Sequence, residues 1–109
     1  MPNIVVSRHA EKRIKTRMGI GKKASQRTAE RAYKEGINYS QTNGSLKRYF
    51  GYLYSTRKST EIYKIWHEML FIFDKVSPHQ HVLITVLPVP KRHAMRATAI
   101  AQTITGTEG

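Results

Sequence analysis

The run at residues 69–73, MLFIF, most constrains the fold, because it is apolar at every position. Successive side chains of a strand point to opposite faces, so such a strand needs cover on both faces. We therefore expect a central strand, with Phe71 and Phe73 on one face and Ile72 on the other. Short spacers favour an antiparallel arrangement with two neighbouring runs that are rich in β-branched and aromatic residues, at positions 62–66 and 82–87.

Residues 7–36 predict a pair of basic helices before this sheet. Ala10, Ile14 and Met18 recur every four residues, which gives the first helix an apolar stripe. The second helix, at about residues 23–34, has small and aromatic residues on its predicted inner face. These are Ala29, Ala32 and Tyr33.

The boundaries of the two helices are marked by local signals. The hydroxyl of Ser7 can accept a hydrogen bond from the first turn, so Ser7 is a predicted N-cap. Gly19 and Gly36 each predict a helix that ends in the left-handed backbone conformation. We predict that the β-branched segment Asn3–Val6, which precedes the two helices, forms either an edge strand or a lead into the first helix.

A third helix is predicted from residue 45. Leu46, Tyr49, Phe50 and Leu53 follow the spacing of an amphipathic helix, although a strand after an Asn-Gly turn is the alternative. The predicted fold class is α+β. It has an N-terminal helical hairpin and a third helix packed on a three-stranded antiparallel sheet, or on a four-stranded one.

The chain length fits one domain, which we expect to span residues 1–90. Residues 91–109 are expected to form a C-terminal tail or a short helix. In the helical alternative, one side would be lined by four apolar residues, namely Ala97, Ile100, Ala101 and Ile104.

The formal net charge of +12 and the pI near 10.3 favour polyanionic partners, and nucleic acid comes first among them. No apolar run approaches the roughly 20 residues that span a bilayer. The first nine residues lack the features of a secretory signal, so a cytoplasmic location is expected. The absence of cysteine excludes disulfides, thiol nucleophiles and cysteine-based zinc sites.

Residues 7–36 contain ten of the nineteen Lys and Arg residues and only three glutamates, which predicts a phosphate-binding surface. Exposed aromatic side chains can stack on bases. Tyr52 is the best candidate, because the third helix would turn it outward, whereas core packing is expected for Tyr49 and Trp66. The predicted nucleic-acid-binding residues are Arg8, Lys12, Arg13, Arg17, Lys22, Lys23, Arg27, Arg31, Lys47, Arg48 and Tyr52.

RNA cleavage would need a base for the 2′-hydroxyl, cations beside the phosphate and an acid for the leaving oxygen. His9, Arg13 and Arg17 lie on one ridge of the first helix and are the candidate catalytic residues if the protein is a ribonuclease. Their spacing does not show that they converge with other candidates, so a binder is favoured over an enzyme. The other candidates are His67, Arg48 and Tyr63.

His79 and His81 are the other visible pair of chemically active side chains. On an extended segment they would face the same way and could share a metal ion. Two ligands do not complete a site, so the preferred interpretation is a polar loop before a strand. No metal and no cofactor is predicted.

The opening RHAEKRIKTRMGI, the following helix that ends in glycine, and the later FIFDK and VLITVLPVP resemble small proteins of bacteriophages and prophages of Gram-positive bacteria. In outline the chain is also similar to ribonuclease toxins of the RelE and BrnT type, which place two helices before an antiparallel sheet. The likeness covers about residues 4–90. Its most distinctive part is His9, Ala10, Arg13 and Arg17.

Three functions follow as hypotheses. The first is a small basic phage-type protein that binds nucleic acid through the hairpin, with RNA favoured slightly over DNA. The second, implied by the resemblance, is a metal-independent endoribonuclease toxin. The third is a phage effector that binds and inhibits a nucleic-acid-dependent machine in the bacterial host cytoplasm, for example an anti-CRISPR or other anti-defence protein.

Overall fold

A computed structural model describes residues 2–38, 41–42, 44–56, 60–91, 93, 95 and 97–100. Helical backbone recurs after the last strand at Lys91, His93, Met95 and residues 97–100. The fold is α+β, as predicted. Its elements are β1 (Asn3–Val6), α1 (Arg8–Met18), α2 (Lys22–Glu35), α3 (Gly44–Thr56), β2 (Glu61–Trp66), β3 (Met69–Ser77) and β4 (Gln80–Pro88).

The sheet has four strands in the order β1-β4-β3-β2. The prediction of an all-antiparallel sheet is wrong, because β1 runs parallel to β4 while the other pairs are antiparallel. The Asn3 amide donates to the His79 carbonyl oxygen at 2.8 Å, and the Ser7 amide donates to that of Leu83 at 3.1 Å. These partners are distant in sequence, so the composition of β1 could not reveal its direction.

Strand β3 lies inside the sheet and is covered on both faces, which confirms the interpretation of MLFIF. Phe71 and Phe73 pack in one cluster with Ala10 and Ala29 of the hairpin. Ile72 packs in the other cluster, with Leu46 and Phe50 of α3. The hairpin and α3 therefore lie on opposite sides of the sheet.

The predicted limits of α1 are confirmed, whereas the predicted role of Gly36 is wrong. The Ser7 hydroxyl accepts from the Ala10 amide at 3.1 Å, and Gly19 has a left-handed φ of 68°. Gly36 instead has φ −68° and ψ 155°, which is an extended conformation. A Cβ on Gly36 would collide with the Ala32 carbonyl oxygen and lie 2.9 Å from the Lys64 Cβ. Glycine is needed there for the close approach of α2 to β2.

Helix α3 is confirmed in place of the strand alternative. Leu46 and Phe50 are fully buried, while Tyr52 is 67% exposed. On the same side of the sheet, Ala97 is buried and Ile100 packs against the core. Ala101 and Ile104 lie outside the described residues. No helix in the described part of the chain is long and apolar enough to cross a membrane.

Candidate nucleic-acid interface

The helical hairpin is fixed to the sheet by contacts from its inner side. Ala10 and Ile14 of α1, and Ala29 and Ala32 of α2, are fully buried. Two polar side chains add long-range hydrogen bonds to backbone carbonyl oxygens: Arg17 donates to Val86 at 2.8 Å and Gln26 donates to Ile4 at 2.6 Å. The outward sides of both helices are thereby held in a defined position.

The outward sides of the hairpin are strongly basic. Arg13 and Arg17 are partly buried, and Arg31 forms a salt bridge with Glu35. No salt bridge is found for the other nine basic side chains of the hairpin within the described part of the structure. The exposed basic residues of the hairpin are Arg8, Lys12, Lys15, Lys22, Lys23, Arg27, Arg31 and Lys34.

The predicted nucleic-acid-binding residues do not form one surface. Lys47, Arg48 and Tyr52 are exposed, but they belong to α3, on the other side of the sheet from the hairpin. The remaining eight predicted residues lie on α1 and α2. The hairpin therefore carries more of the predicted basic residues than α3 does. Tyr52 lies on the opposite side of the sheet from the hairpin.

Trp66 of β2 is a partly exposed aromatic residue that contacts the hairpin. The Arg31 guanidinium carbon lies over the Trp66 ring, 5.2 Å from its centroid. Arg31 also donates two hydrogen bonds to Glu35, with the Nε and Oε2 atoms 3.1 Å apart and the Nη2 and Oε1 atoms 3.3 Å apart. These bonds lower the pKa of Glu35 and raise the pKa of Arg31 from their ordinary values.

Core packing was predicted for Trp66, and the structure confirms it only in part. The ring packs against the hairpin-side cluster but stays partly accessible. The alternation along β2 was the available signal, because it places Lys64 and Trp66 on the same face of the strand. The sequence did not show that this face meets α2.

Two neighbouring grooves adjoin α2, and Trp66 lines the first of them. One, of ≈ 570 Å³, lies at the β2 edge of the sheet, and the other, of ≈ 670 Å³, lies between α2 and the start of β1. Lys34 and Glu35 line both, so the grooves are neighbours. The first is lined by Lys34, Glu35, Gly36, Ile37, Asn38, Gln41, Lys64, Ile65, Trp66, His67, Glu68, Ala97 and Thr98, and the second by Pro2, Asn3, Arg27, Glu30, Arg31, Lys34 and Glu35.

The candidate catalytic residues His9, Arg13 and Arg17 all lie on α1, whereas the other candidates lie elsewhere in the fold. On α1 the Arg13 Nε donates to the His9 Nε2 at 3.4 Å. His67 is exposed in the turn between β2 and β3. Tyr63 is fully buried on the α3 side, with its hydroxyl 3.2 Å from the Leu53 carbonyl oxygen. Tyr63 therefore cannot act together with His9, and Arg48 also lies on the α3 side.

His79 and His81 do not share an environment. His79 is exposed, whereas His81 is only 4% exposed and its Nδ1 has no hydrogen-bond partner among the described residues. The Tyr33 ring lies 5.3 Å from the His81 ring, and Lys75 of β3 pairs with His81 across the sheet. Within the described residues, no three potential metal ligands are grouped closely enough to hold an ion.

The buried His81 predicts a loss of stability in acid. Burial, with a smaller contribution from Lys75, lowers its pKa below the ordinary value of 6.5. The unfolded chain then binds the proton more tightly, so the stability present above pH 6.5 is lost as the pH falls toward the pKa of the folded state. We expect the free energy of unfolding in urea to fall as the pH decreases below 6.5, and to fall less in His81→Leu. If the pH dependence in His81→Leu equals that of the parent, His81 is not the responsible group. The exposed-site control His79→Gln should keep the parental pH dependence.

Comparisons with family models, with curated proteins and with solved structures returned no match. The resemblance to phage proteins and ribonuclease toxins therefore stays a prediction.

Proposed function

We propose that the protein binds nucleic acid through the outward side of the α1–α2 hairpin, with RNA favoured slightly over DNA. The observation that supports this best is the excess of exposed positive charge on the two helices. Residues 7–36 contain ten basic residues and three glutamates, a difference of seven. One of those glutamates, Glu35, is already paired with Arg31. Such a surface attracts a polyanion and releases its condensed counterions.

The arrangement of the charges along α2 suits a phosphate backbone. Lys23, Arg27, Arg31 and Lys34 lie within about 80° of one another around the helix, at roughly 100° per residue. They extend over about 17 Å along its axis, at roughly 1.5 Å per residue. Phosphates of one strand are roughly 3.4 Å apart along a duplex axis, so this row spans several of them. Glu30 lies within the row, and its carboxylate is 3.2 Å from the Gln26 amide nitrogen.

Neutralising two exposed residues of this row tests the proposal. In Lys23→Gln/Arg27→Gln we expect affinity for a fluorescent single-stranded RNA to fall on the order of 10-fold at about 150 mM salt. The slope of log affinity against log salt should become shallower by about 1.4, which is twice the single-strand value per phosphate contact. Fluorescence anisotropy over a salt series measures both quantities.

The matched control is Lys75→Gln/Lys91→Gln, which removes two exposed charges outside the hairpin. Both double variants lower the net charge from +12 to +10, since each loses two cations. The control should bind RNA like the parent protein. Equal weakening in the two variants would indicate attraction by net charge alone, and unchanged binding in the hairpin variant would show that the nucleic acid binds elsewhere.

A further inference from the structure

We propose that the groove at the β2 edge holds one unpaired base of a single-stranded nucleic acid against the indole of Trp66. This inference rests on the proposed function and adds the site where a base is received. The adjoining phosphates would follow the second groove, past Arg27 and Arg31.

The Trp66 ring offers a fixed aromatic surface. The Phe71 ring meets it at an interplanar angle of 67°, with the centroids 6.0 Å apart, and the His67 ring meets it edge-on, with the centroids 4.1 Å apart. Arg31 lies over the ring and is itself held by Glu35. An aromatic ring and a guanidinium plane are the two kinds of side-chain surface on which unpaired bases stack in proteins.

The two grooves differ in the charge of their described lining residues: the groove beside Trp66 is neutral overall, as suits a base, and the neighbouring groove is positive, as suits phosphate. Among the described residues that line the groove beside Trp66, Lys34 and Lys64 balance Glu35 and Glu68, so two positive and two negative charges sum to zero. This lining suits a neutral ring with hydrogen-bond donors and acceptors at its edge. The Lys64 amine is half-buried 5.2 Å from the Tyr33 ring centroid, and burial lowers its pKa.

The neighbouring groove is the more suitable one for phosphate. Arg27, Arg31 and Lys34 outnumber Glu30 and Glu35 there, and both arginines are exposed. Lys34 and Glu35 form the boundary between the two grooves, so a backbone lying along α2 would pass beside the base pocket. Only an unpaired nucleotide can turn its base into that pocket, because a paired base remains in the helical stack.

Trp66 is the sole tryptophan of the chain, so its fluorescence reports directly on this pocket. We expect a single-stranded RNA to quench the emission of the unmodified protein, with the same half-saturation as binding measured by anisotropy of the labelled RNA. A duplex of the same length should bind the hairpin and change the emission much less, because it would disturb only the contact of Arg31 with the ring. Inorganic polyphosphate, which has charge but no bases, should likewise change it much less.

The outcomes separate this inference from the proposed function. Binding of single-stranded RNA without a change in emission would overturn the base pocket and leave the basic hairpin standing as the interface. Equal quenching by the duplex or by polyphosphate would also overturn the pocket, because it would show that phosphates alone perturb Trp66. If no nucleic acid binds, both proposals fail.

Substitutions give an independent measurement. Trp66→Ala should weaken single-strand binding on the order of 10-fold while duplex binding stays near that of the parent. Trp66→Phe keeps an aromatic surface and should restore most of the lost affinity. Equal losses for both nucleic acids in a Trp66→Ala variant that unfolds cooperatively would argue against a base pocket.

Discussion

Replacing Ile72 by aspartate is expected to abolish cooperative folding. Ile72 is fully buried between β3 and α3, in a cluster with Leu46, Phe50 and Tyr63. The substitution removes about 1.5–3 kcal/mol of apolar burial and places a carboxylate in a buried apolar cluster. Domains have only about 5–15 kcal/mol of total stability, so we expect no sigmoidal urea transition and loss of near-UV circular dichroism.

Val76→Asp is the matched control, because it places the same side chain on the same strand at a position that is 56% exposed. Its free energy of unfolding should stay within about 0.5 kcal/mol of the parent value. A soluble Ile72→Asp variant with a cooperative transition would show that the α3 side of β3 is not buried as described.

Gly36→Ala is expected to destabilise the fold by about 1–3 kcal/mol or more, which is the usual cost of forcing a methyl group into a packed site. The added Cβ would collide with the Ala32 carbonyl oxygen and press on the Lys64 Cβ and the Ile65 carbonyl oxygen, at 2.9 and 3.3 Å. Relief would require the backbone at the end of α2 to change and α2 to move away from β2, which would also disturb the two hydrogen bonds between Ile37 and Ile65. The measurement is the free energy of unfolding in urea.

The same substitution at Gly51 supplies a control with the opposite expected sign. Gly51 lies inside α3, and a Cβ there would meet nothing within 4 Å. Alanine is preferred to glycine in a helix by about 1 kcal/mol, so Gly51→Ala should stabilise the protein. If Gly36→Ala also stabilises it, the close approach of α2 to β2 is wrong.

The two substitutions affect the proposed interface differently. Gly36 lines the groove beside Trp66, so a shift of α2 there would alter the base pocket as well as stability. Gly51 lies on the far side of the sheet. Single-strand binding should therefore weaken in Gly36→Ala and stay at the parental value in Gly51→Ala.

Several features could be predicted because they depend on neighbouring residues alone. The periodicity of Ala10, Ile14 and Met18 follows from helix geometry, and the Ser7 cap and the Gly19 turn depend on a few adjacent dihedral angles. The uninterrupted apolar run of β3 requires cover on both faces wherever that cover comes from. The basic character of the hairpin is also a direct property of its composition.

Other features depend on contacts between residues that are far apart in the chain. The spacing within β1 could not reveal its parallel pairing with β4, and the pattern of α3 did not indicate which face of the sheet it covers. The sequence therefore did not show that Lys47, Arg48 and Tyr52 lie on the opposite side of the sheet from the hairpin.

Tertiary structure largely determines which residues come together at the candidate site. Local patterns specify a basic helical hairpin before a sheet with a buried central strand, since charge and periodicity are local properties. The position of Trp66 beneath Arg31 and the need for glycine at position 36 follow from the way α2 meets β2. Tyr63 is buried because α3 covers the opposite face of the sheet. These placements are set by packing across the whole sheet, which no local pattern encodes.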